Sequence, residues 1–326
     1  MRARWHHVTP ALVLAAALSL LTVGAQAAEG TFTRTLTLTG PVDLEVDTGS
    51  GDITVRVGEP GQVRVTGKIK TTSRWLGGGG EELVQRIQQN PPVEQDGNSI
   101  RIGHIEDREL RRNVSISYEL WVPQETRLGA DTGSGNVDAD GIQGPVNADT
   151  GSGNIALANI GGEVRADTGS GDIKLDSING PVYADTGSGS IRGTGVRGSL
   201  TADTGSGDVQ LEESALSEVK VSTGSGQVSL IGVRGGVQVS TASGDITIEG
   251  EPTADWAVGA SSGDITLRLS PETAFEVDAH TSSGDIYTDH PLTVQGMIGR
   301  HQLRGQVRGG GVKLALSTSS GDIRIE

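Results

Sequence analysis

The tetrapeptide Ser-Gly-x-Ile/Val, with Asp, Asn, Ser or Gln at x, recurs eleven times in 326 residues. Its serines are Ser50, Ser134, Ser152, Ser170, Ser188, Ser206, Ser225, Ser243, Ser262, Ser283 and Ser320. From Ser134 onward the spacings are 18, 18, 18, 18, 19, 18, 19, 21 and 37 residues. A fixed period of this size marks a repeat architecture, in which each unit is one supersecondary piece. The last interval is close to two periods. One degenerate unit is therefore expected between Ser283 and Ser320, so that RGQVRGGGVKLALSTSSGDIRIE reads as that unit plus the terminal one.

Within a unit such as GEVRADTGSGDIKLDSIN, residues 162–179, apolar residues alternate with polar ones on both sides of a Gly-rich turn. Three residues after each Ser the chain carries Ile or Val in every copy; Ile155, Ile173 and Ile191 are examples. Two further on stand residues such as Leu157, Leu175 and Leu211. Six and four before the Ser are Val146 and Ala148, Val164 and Ala166, Val182 and Ala184, and so on along the array. A period of two means strands with one buried face, and nothing here has the three-and-four spacing of a helix. Two short strands cannot bury a face alone, whereas stacked units build a core from like columns. The expected fold is all-β: a β-solenoid of stacked coils of about 18 residues, two short strands per coil, with one short helix in an N-terminal insertion. Coils rising about 4.7–4.9 Å each give a rod of roughly 50 Å.

Six units contain Asp-Thr-Gly-Ser-Gly, beginning at Asp47, Asp131, Asp149, Asp167, Asp185 and Asp203. Asp-Thr-Gly is also how the catalytic loop of an aspartic protease reads. That chemistry needs two facing carboxylates sharing one proton. A ladder of such loops at coil spacing lines its carboxylates along one edge instead, so catalytic residues are expected to be absent. Turn chemistry explains the motif: Gly supplies unusual backbone angles, and Asp and Ser side chains bond nearby amides. The competing reading is calcium. Carboxylates stacked at strand spacing repel unless neutralised, which makes Asp149, Asp167, Asp185 and Asp203 the calcium candidates. No other cofactor is implied. Asn136, Asn154, Ser190 and Gln227 after the Ser-Gly weaken a dedicated metal site.

The chain begins MRARWHH, continues with the apolar run ALVLAAALSLLTVGA, and reaches small residues at AQA. This is the pattern of a signal peptide over 1–27, cleaved after Ala27. The run is too short and wrongly flanked for a membrane span, and no second run of about 18 apolar residues follows. No transmembrane span is expected in the mature chain. The chain has no Cys, so neither disulfides nor a lipid-modified cysteine is available. The formal net charge of −15 becomes −17 once Arg2 and Arg4 leave with the signal. That charge argues against nucleic acid or anionic lipid as partners and permits cations or basic surfaces.

Residues 28–130 read as an N-terminal β segment with a loop and helix insertion at 71–92, and 131–326 as the main array. TTSRWLGGGG is a loop. EELVQRIQQN, 81–90, is a helix with Leu83, Val84 and Ile87 on one face, stopped by Pro91 and Pro92. It is expected to cap an open end of the stack, where unpaired strand edges invite aggregation. The other end, at Glu326, shows no cap, so a partner, a second copy or an N-terminal segment is expected to cover it. His104, His280, His290 and His301 lack metal-ligand spacing, although His280 and His290 could meet across neighbouring coils. Arg300, Arg304 and Arg308 form a four-residue basic rhythm, read as a solvated face, with an anionic-glycan contact as the alternative.

VSISYELWVPQETRLGADTGSGNV, the serial TGSGDI units and the ending VRGGGVKLALSTSSGDIRIE resemble the bacterial putative-adhesin family, domain of unknown function 4097. The likeness runs from about residue 40 to 326 and rests on Tyr-x-x-x-Val-Pro, the repeated Ser-Gly-Asp-Ile and the terminal Gly-Gly-Gly strand. The resemblance implies an exported, strand-rich protein with an adhesin-like or envelope role, and it supplies no catalytic residues. The function expected is therefore that of an exported non-enzymatic scaffold or interaction surface, periplasmic or on the cell surface. Its expected partner is an envelope protein or polysaccharide, with end-to-end self-association possible for the rod. The alternatives are a calcium-dependent β-roll-like module and a polysaccharide-active β-helix enzyme; the minimal loops of the central array give such an enzyme no groove.

Overall fold

The structure is a computed structural model, and it describes residues 27–72, 79–212, 214–294 and 299–326. The expected signal peptide and most of the expected loop at 71–80 lie outside the described residues. The rest is a two-sided β-solenoid. Each coil gives one strand to sheet A and one to sheet B, and among the described residues the sheets hold 14 and 15 strands.

The coil at 164–176 shows how the sequence makes this unit. Val164–Thr168 runs in sheet B with Val164, Ala166 and Thr168 buried and Arg165 and Asp167 exposed. The Gly-Ser-Gly turn reverses the chain into Ile173–Asp176 of sheet A, where Ile173 and Leu175 are buried. Asn159 and Ser177 take positive φ at the second corner. A further column fills that corner: Ile142, Ile160, Ile178 and Val196 are wholly buried. Successive coils are parallel and in register, Val146 on Val164 on Val182 in sheet B and Ile155 on Ile173 on Ile191 in sheet A. Like therefore stacks on like, and the core is a set of apolar columns of mostly aliphatic residues.

Coil order in space departs from chain order at both ends. The first repeat, Val42–Thr48 and Ile53–Val57, lies inside the stack. The strands Ser99–Ile102 and Val114–Val122 sit on one side of it and the coil at 126–140 on the other. The last repeat, Val312–Ser320 and Ile323–Ile325, is likewise inside. It is inserted between the coil at 256–269 and the coil at 275–288. The expectation of a degenerate coil between Ser283 and Ser320 is therefore corrected. Those residues form an antiparallel hairpin, with Gln302–Val307 on Phe275–Ser283 and Leu292–Val294 outside it. The expectation of an uncapped C-terminal end is corrected in part: Glu326 is not at that end and the hairpin extends sheet B beyond the coil at 275–288, while Ile286–Thr288 is the edge strand of sheet A. The interval of 37 is a coil plus a cap, a distinction that counting residues cannot make.

The opposite end is closed by antiparallel strands too: Gln62–Thr71 on Val114–Val122, Glu29–Thr37 on Gln62–Thr71, and Val93–Asp96 on Ser99–Ile102. Helix α1, Gly79–Gln89, buries Leu83, Val84 and Ile87 and packs on the two outermost of these strands. Its predicted capping role holds. A second helix, α2 (Arg108–Asn113), is capped by Asp107, whose side chain accepts from the Glu109 and Leu110 amides; the sequence reading did not foresee it. Among the described residues no helix is long and apolar enough to cross a membrane.

In-register stacking makes the array modular in whole coils. Deleting residues 167–184 joins Ala166 to Asp185 and keeps every column, so the loss in thermal stability should be about one repeat and one interface. Deleting 167–175 removes a turn and a strand and should prevent cooperative folding. Ile173→Asp should cost several kcal/mol, because it buries a carboxylate without a partner. Thermal and urea unfolding of the three variants beside the parent checks all of these.

Candidate interaction surface on the outer face of sheet B

The Asp-Thr-Gly-Ser-Gly turns stand in a row at one edge of the solenoid, and their residues divide the work. The threonine is the structural one. Thr168 is buried; its Oγ1 donates to the Gly153 carbonyl of the preceding coil at 2.8 Å and accepts from its own turn's Gly171 amide at 3.1 Å. Thr150 and Thr186 repeat both bonds. Sequence reasoning assigned turn closure to Asp and Ser and overlooked the hydroxyl. The signal was visible, because a Thr stands two residues before ten of the eleven repeat serines, with Ala260 the exception. The second glycine is equally constrained. A Cβ on Gly153 would lie 1.7 Å from the Gly135 carbonyl oxygen of the coil below, so no side chain fits.

The position after Ser-Gly forms a second ladder. The Asp172 amide donates to Asn154 Oδ1 at 2.8 Å, and the Ser190 amide donates to Asp172 Oδ1 at 2.8 Å. The same bond joins Asn136 to Asp52, Gln227 to Asp208 and Asp322 to Asp264. Only an acceptor oxygen is required, which is why Asn replaces Asp freely here. The interchange reflects a hydrogen-bond staple between coils.

The first Asp of the motif is left free of structural duty. Asp47, Asp131, Asp149, Asp167, Asp185 and Asp203 are consecutive partners on the outer face of sheet B, exposed except for the half-buried Asp203. Their Cα atoms follow the strand spacing of about 4.8 Å. Partial burial, and after it the charge of Asp47, pushes the Asp131 carboxyl above its ordinary value. Burial and then Asp131 and Asp167 do the same for Asp149, and burial and then Asp167 and Asp203 for Asp185. The calcium candidates Asp149, Asp167, Asp185 and Asp203 thus stand in single file on one face. Among the described residues no three His, Cys, Asp or Glu converge as a metal-binding group.

The ladder runs into an open cleft of about 600 Å³ at its N-terminal end. Glu45, Asp47, Glu94, Glu106, Asp131 and Asp149 supply carboxylates to it, and Arg101 and His104 are its basic residues. Arg101 is already paired with Glu45 at 3.1 Å. Beside the ladder, Arg165 lies over the exposed Tyr183 ring, 4.8 Å from its centroid.

The remaining sequence candidates do not join this surface. Arg300 makes two bonds to Asp285, at 2.9 and 3.1 Å, Arg304 reaches Asp278 at 2.9 Å, and Arg308 reaches Glu272 at 3.2 Å. The basic rhythm is thus matched by acids across the C-terminal cap. Arg300 holds the Asp285 carboxyl below its usual range. His280 and His290 belong to one coil and not to neighbouring ones. His280 is exposed, while His290 is buried with its ring edge-on to Phe275, centroids 5.3 Å apart.

The two ladders predict opposite mutational signs. Thr168→Val leaves a buried carbonyl and amide unpaired and should cost about 1–3 kcal/mol, with Thr168→Ser recovering most of it. A raised folded-state carboxyl stabilises fully below its unfolded value, near 3.9, and loses that contribution as pH rises through the folded value. Ionised at neutral pH, Asp149 opposes folding. Asp149→Asn should raise the melting temperature at pH 7, and the gain should vanish below about pH 4. Melting curves across that range are the measurement.

The Toastrack DUF4097 family profile matches residues 163–326. No curated protein matches the chain. Among solved structures, a putative adhesin of Bacteroides fragilis is similar at 13% identity over 92% of this chain and 99% of its own, with a TM-score of 0.34. A putative adhesin of Parabacteroides distasonis is 10% identical over 90% of this chain and 97% of its own, with a TM-score of 0.31. A putative cell adhesion protein of Clostridium sporogenes is 10% identical over 92% and 99%, with a TM-score of 0.25. With half of the chain matched by one family profile, the chain belongs to the Toastrack DUF4097 family.

Proposed function

We propose that the mature protein is an exported, non-enzymatic solenoid that presents the outer face of sheet B as a multivalent interaction surface in the cell envelope. The signal-peptide pattern of residues 1–27 supports export, to the periplasm or the cell surface. The observation that carries the reading is the unbroken file of six carboxylates, Asp47 to Asp203, which make no bond that the fold requires. Stacking them opposes folding, so their recurrence asks for a use outside the fold. A rigid file of like charges at strand spacing suits a partner with repeated positive charge, an amine-bearing polysaccharide or a Lys/Arg-rich segment of an envelope protein. Each contact is weak, and many engaged together give avidity.

Each exposed ion contact contributes about 0.5 kcal/mol. Neutralising three in Asp149→Asn/Asp167→Asn/Asp185→Asn should therefore weaken binding to an immobilised amine-bearing polysaccharide about tenfold. Wild-type binding should fall steeply with salt. Equal, salt-insensitive binding by wild type and triple variant would remove the carboxylate file from the function. The second reading, calcium, is favoured by the same mutual repulsion of neighbouring carboxylates. On that reading calcium raises the wild-type melting temperature, chelator reverses it, and the triple variant does not respond.

A further inference from the structure

The insertion of the C-terminal repeat creates a site that the chain itself fills. Residues 312–325 lie between two coils that are neighbours in sequence, 256–269 and 275–288. The flanking coils match each other as well as they match the insert. In sheet B, Leu314 stands between Trp256 and Val277, and Leu316 between Val258 and Ala279. In sheet A, Ile323 stands between Ile265 and Ile286. Between equivalent register positions the connection is three residues longer than usual, Ile265 to Val277 taking twelve residues where Ile155 to Val164, in coils that stack directly, takes nine. The linker therefore spans the insert and is more than long enough to join the two coils once the insert is withdrawn.

The insert is also attached in a way that permits withdrawal. It joins the cap through Arg308-Gly309-Gly310-Gly311, in which Arg308 has φ 52°, Gly309 87° and Gly310 86°. The left-handed conformation is a strained one for Arg308 and is relieved when the hinge extends. Arg308 holds this folded hinge against the linker, donating from Nε to the Pro271 carbonyl at 3.0 Å and pairing with Glu272. What the hinge carries is a pair of strands whose buried face, Leu314, Leu316, Thr318, Ile323 and Ile325, is complete only between two other coils.

We propose that the gap between the coils at 256–269 and 275–288 is a strand-acceptor site for a second copy of this chain, and that residues 312–326 are its exchangeable occupant. Exchange is reciprocal: each copy extends its hinge and places its terminal coil in the other's gap. Every buried contact of the monomer is remade across the dimer, and a new one forms only where the hinges cross. The site is specific because the incoming segment must carry the columns of both neighbours in register.

The chain has no Cys, so introduced thiols report without background. Ser262 and Ser320 are in-register partners in adjacent parallel strands, close enough for a disulfide. Full-length Ser262→Cys and Ser320→Cys proteins are mixed at equal concentration, warmed below the unfolding transition, cooled and oxidised. A disulfide-linked dimer of unlike copies should form, increase with protein concentration, and approach about half of all exchanged dimers, the statistical share of unlike pairs. Ser243→Cys mixed with Ser320→Cys, in the same column but two strands apart and therefore beyond disulfide reach in either the monomer or the exchanged dimer, is the collision control. In the double variant Ser262→Cys/Ser320→Cys, oxidation before warming should close the bond within one chain and reduce dimer formation by an order of magnitude. Linked dimer no more abundant than in the control at any concentration would overturn the exchange. Failure of the double variant to close its internal bond would overturn the insertion on which it rests.

Discussion

In the regular array one buried hydroxyl per turn joins each coil to the next at the tight edge of this solenoid. The backbone there turns too sharply to continue the sheet ladder, so its amides and carbonyls need other partners away from water. In the regular array the threonine two residues before the repeat serine gives one bond to the coil below and takes one from its own turn, as Thr168 does with Gly153 and Gly171. The glycines follow from this closeness, because the carbonyl that accepts the bond occupies the space a Cβ would need. With the turn fixed, the strands on either side fall into register, and the apolar columns stack like on like. Hydrophobic burial stabilises the coils, but the hydroxyl ladder sets where each one lies.

Register that helps the core works against the surface. Stacking like on like inside means stacking like on like outside, and an exposed Asp in every unit becomes a file of carboxylates. Asp131, Asp149 and Asp185 hold their protons more tightly than a free carboxyl does, first through partial burial and then through the charges of their neighbours in the file. Elsewhere the fold neutralises its acids. Asp264 and Asp285 are held below their ordinary values, Asp264 chiefly by the Asp322 amide and then by Arg324, and Asp285 by Arg300. The contrast separates carboxylates used in the fold from the file that is left available for a partner.

Both ends of the stack meet the same difficulty, an exposed sheet edge. Antiparallel strands extend both sheets at the N-terminal end and sheet B at the C-terminal end, and at each end the terminal repeat is drawn one coil inward. Neither the first nor the last repeat of the chain is left to fray. The arrangement also separates folding order from chain order, since the coil at 312–325 settles only when both of its neighbours are present.

The sequence by itself determined the coil. Period-two columns at 18-residue spacing allow little besides stacked two-strand coils, because two strands cannot bury their face alone. It also determined that the six Asp-Thr-Gly loops form a row and not a facing pair, since they recur at coil spacing. The capping helix was legible from Leu83, Val84 and Ile87, and the file of aspartates from its period. The division of labour within the turn was legible only in part: the recurrent Thr was in plain view, but its role depends on a carbonyl from another coil. The order of the coils was decided by tertiary structure alone. Repeats with the same columns pair equally well with several neighbours, so local pattern does not say which coil lies beside which. Hairpin caps at the ends, a linker three residues longer than in the regular array and a glycine hinge make that choice, and they place the last repeat inside the stack.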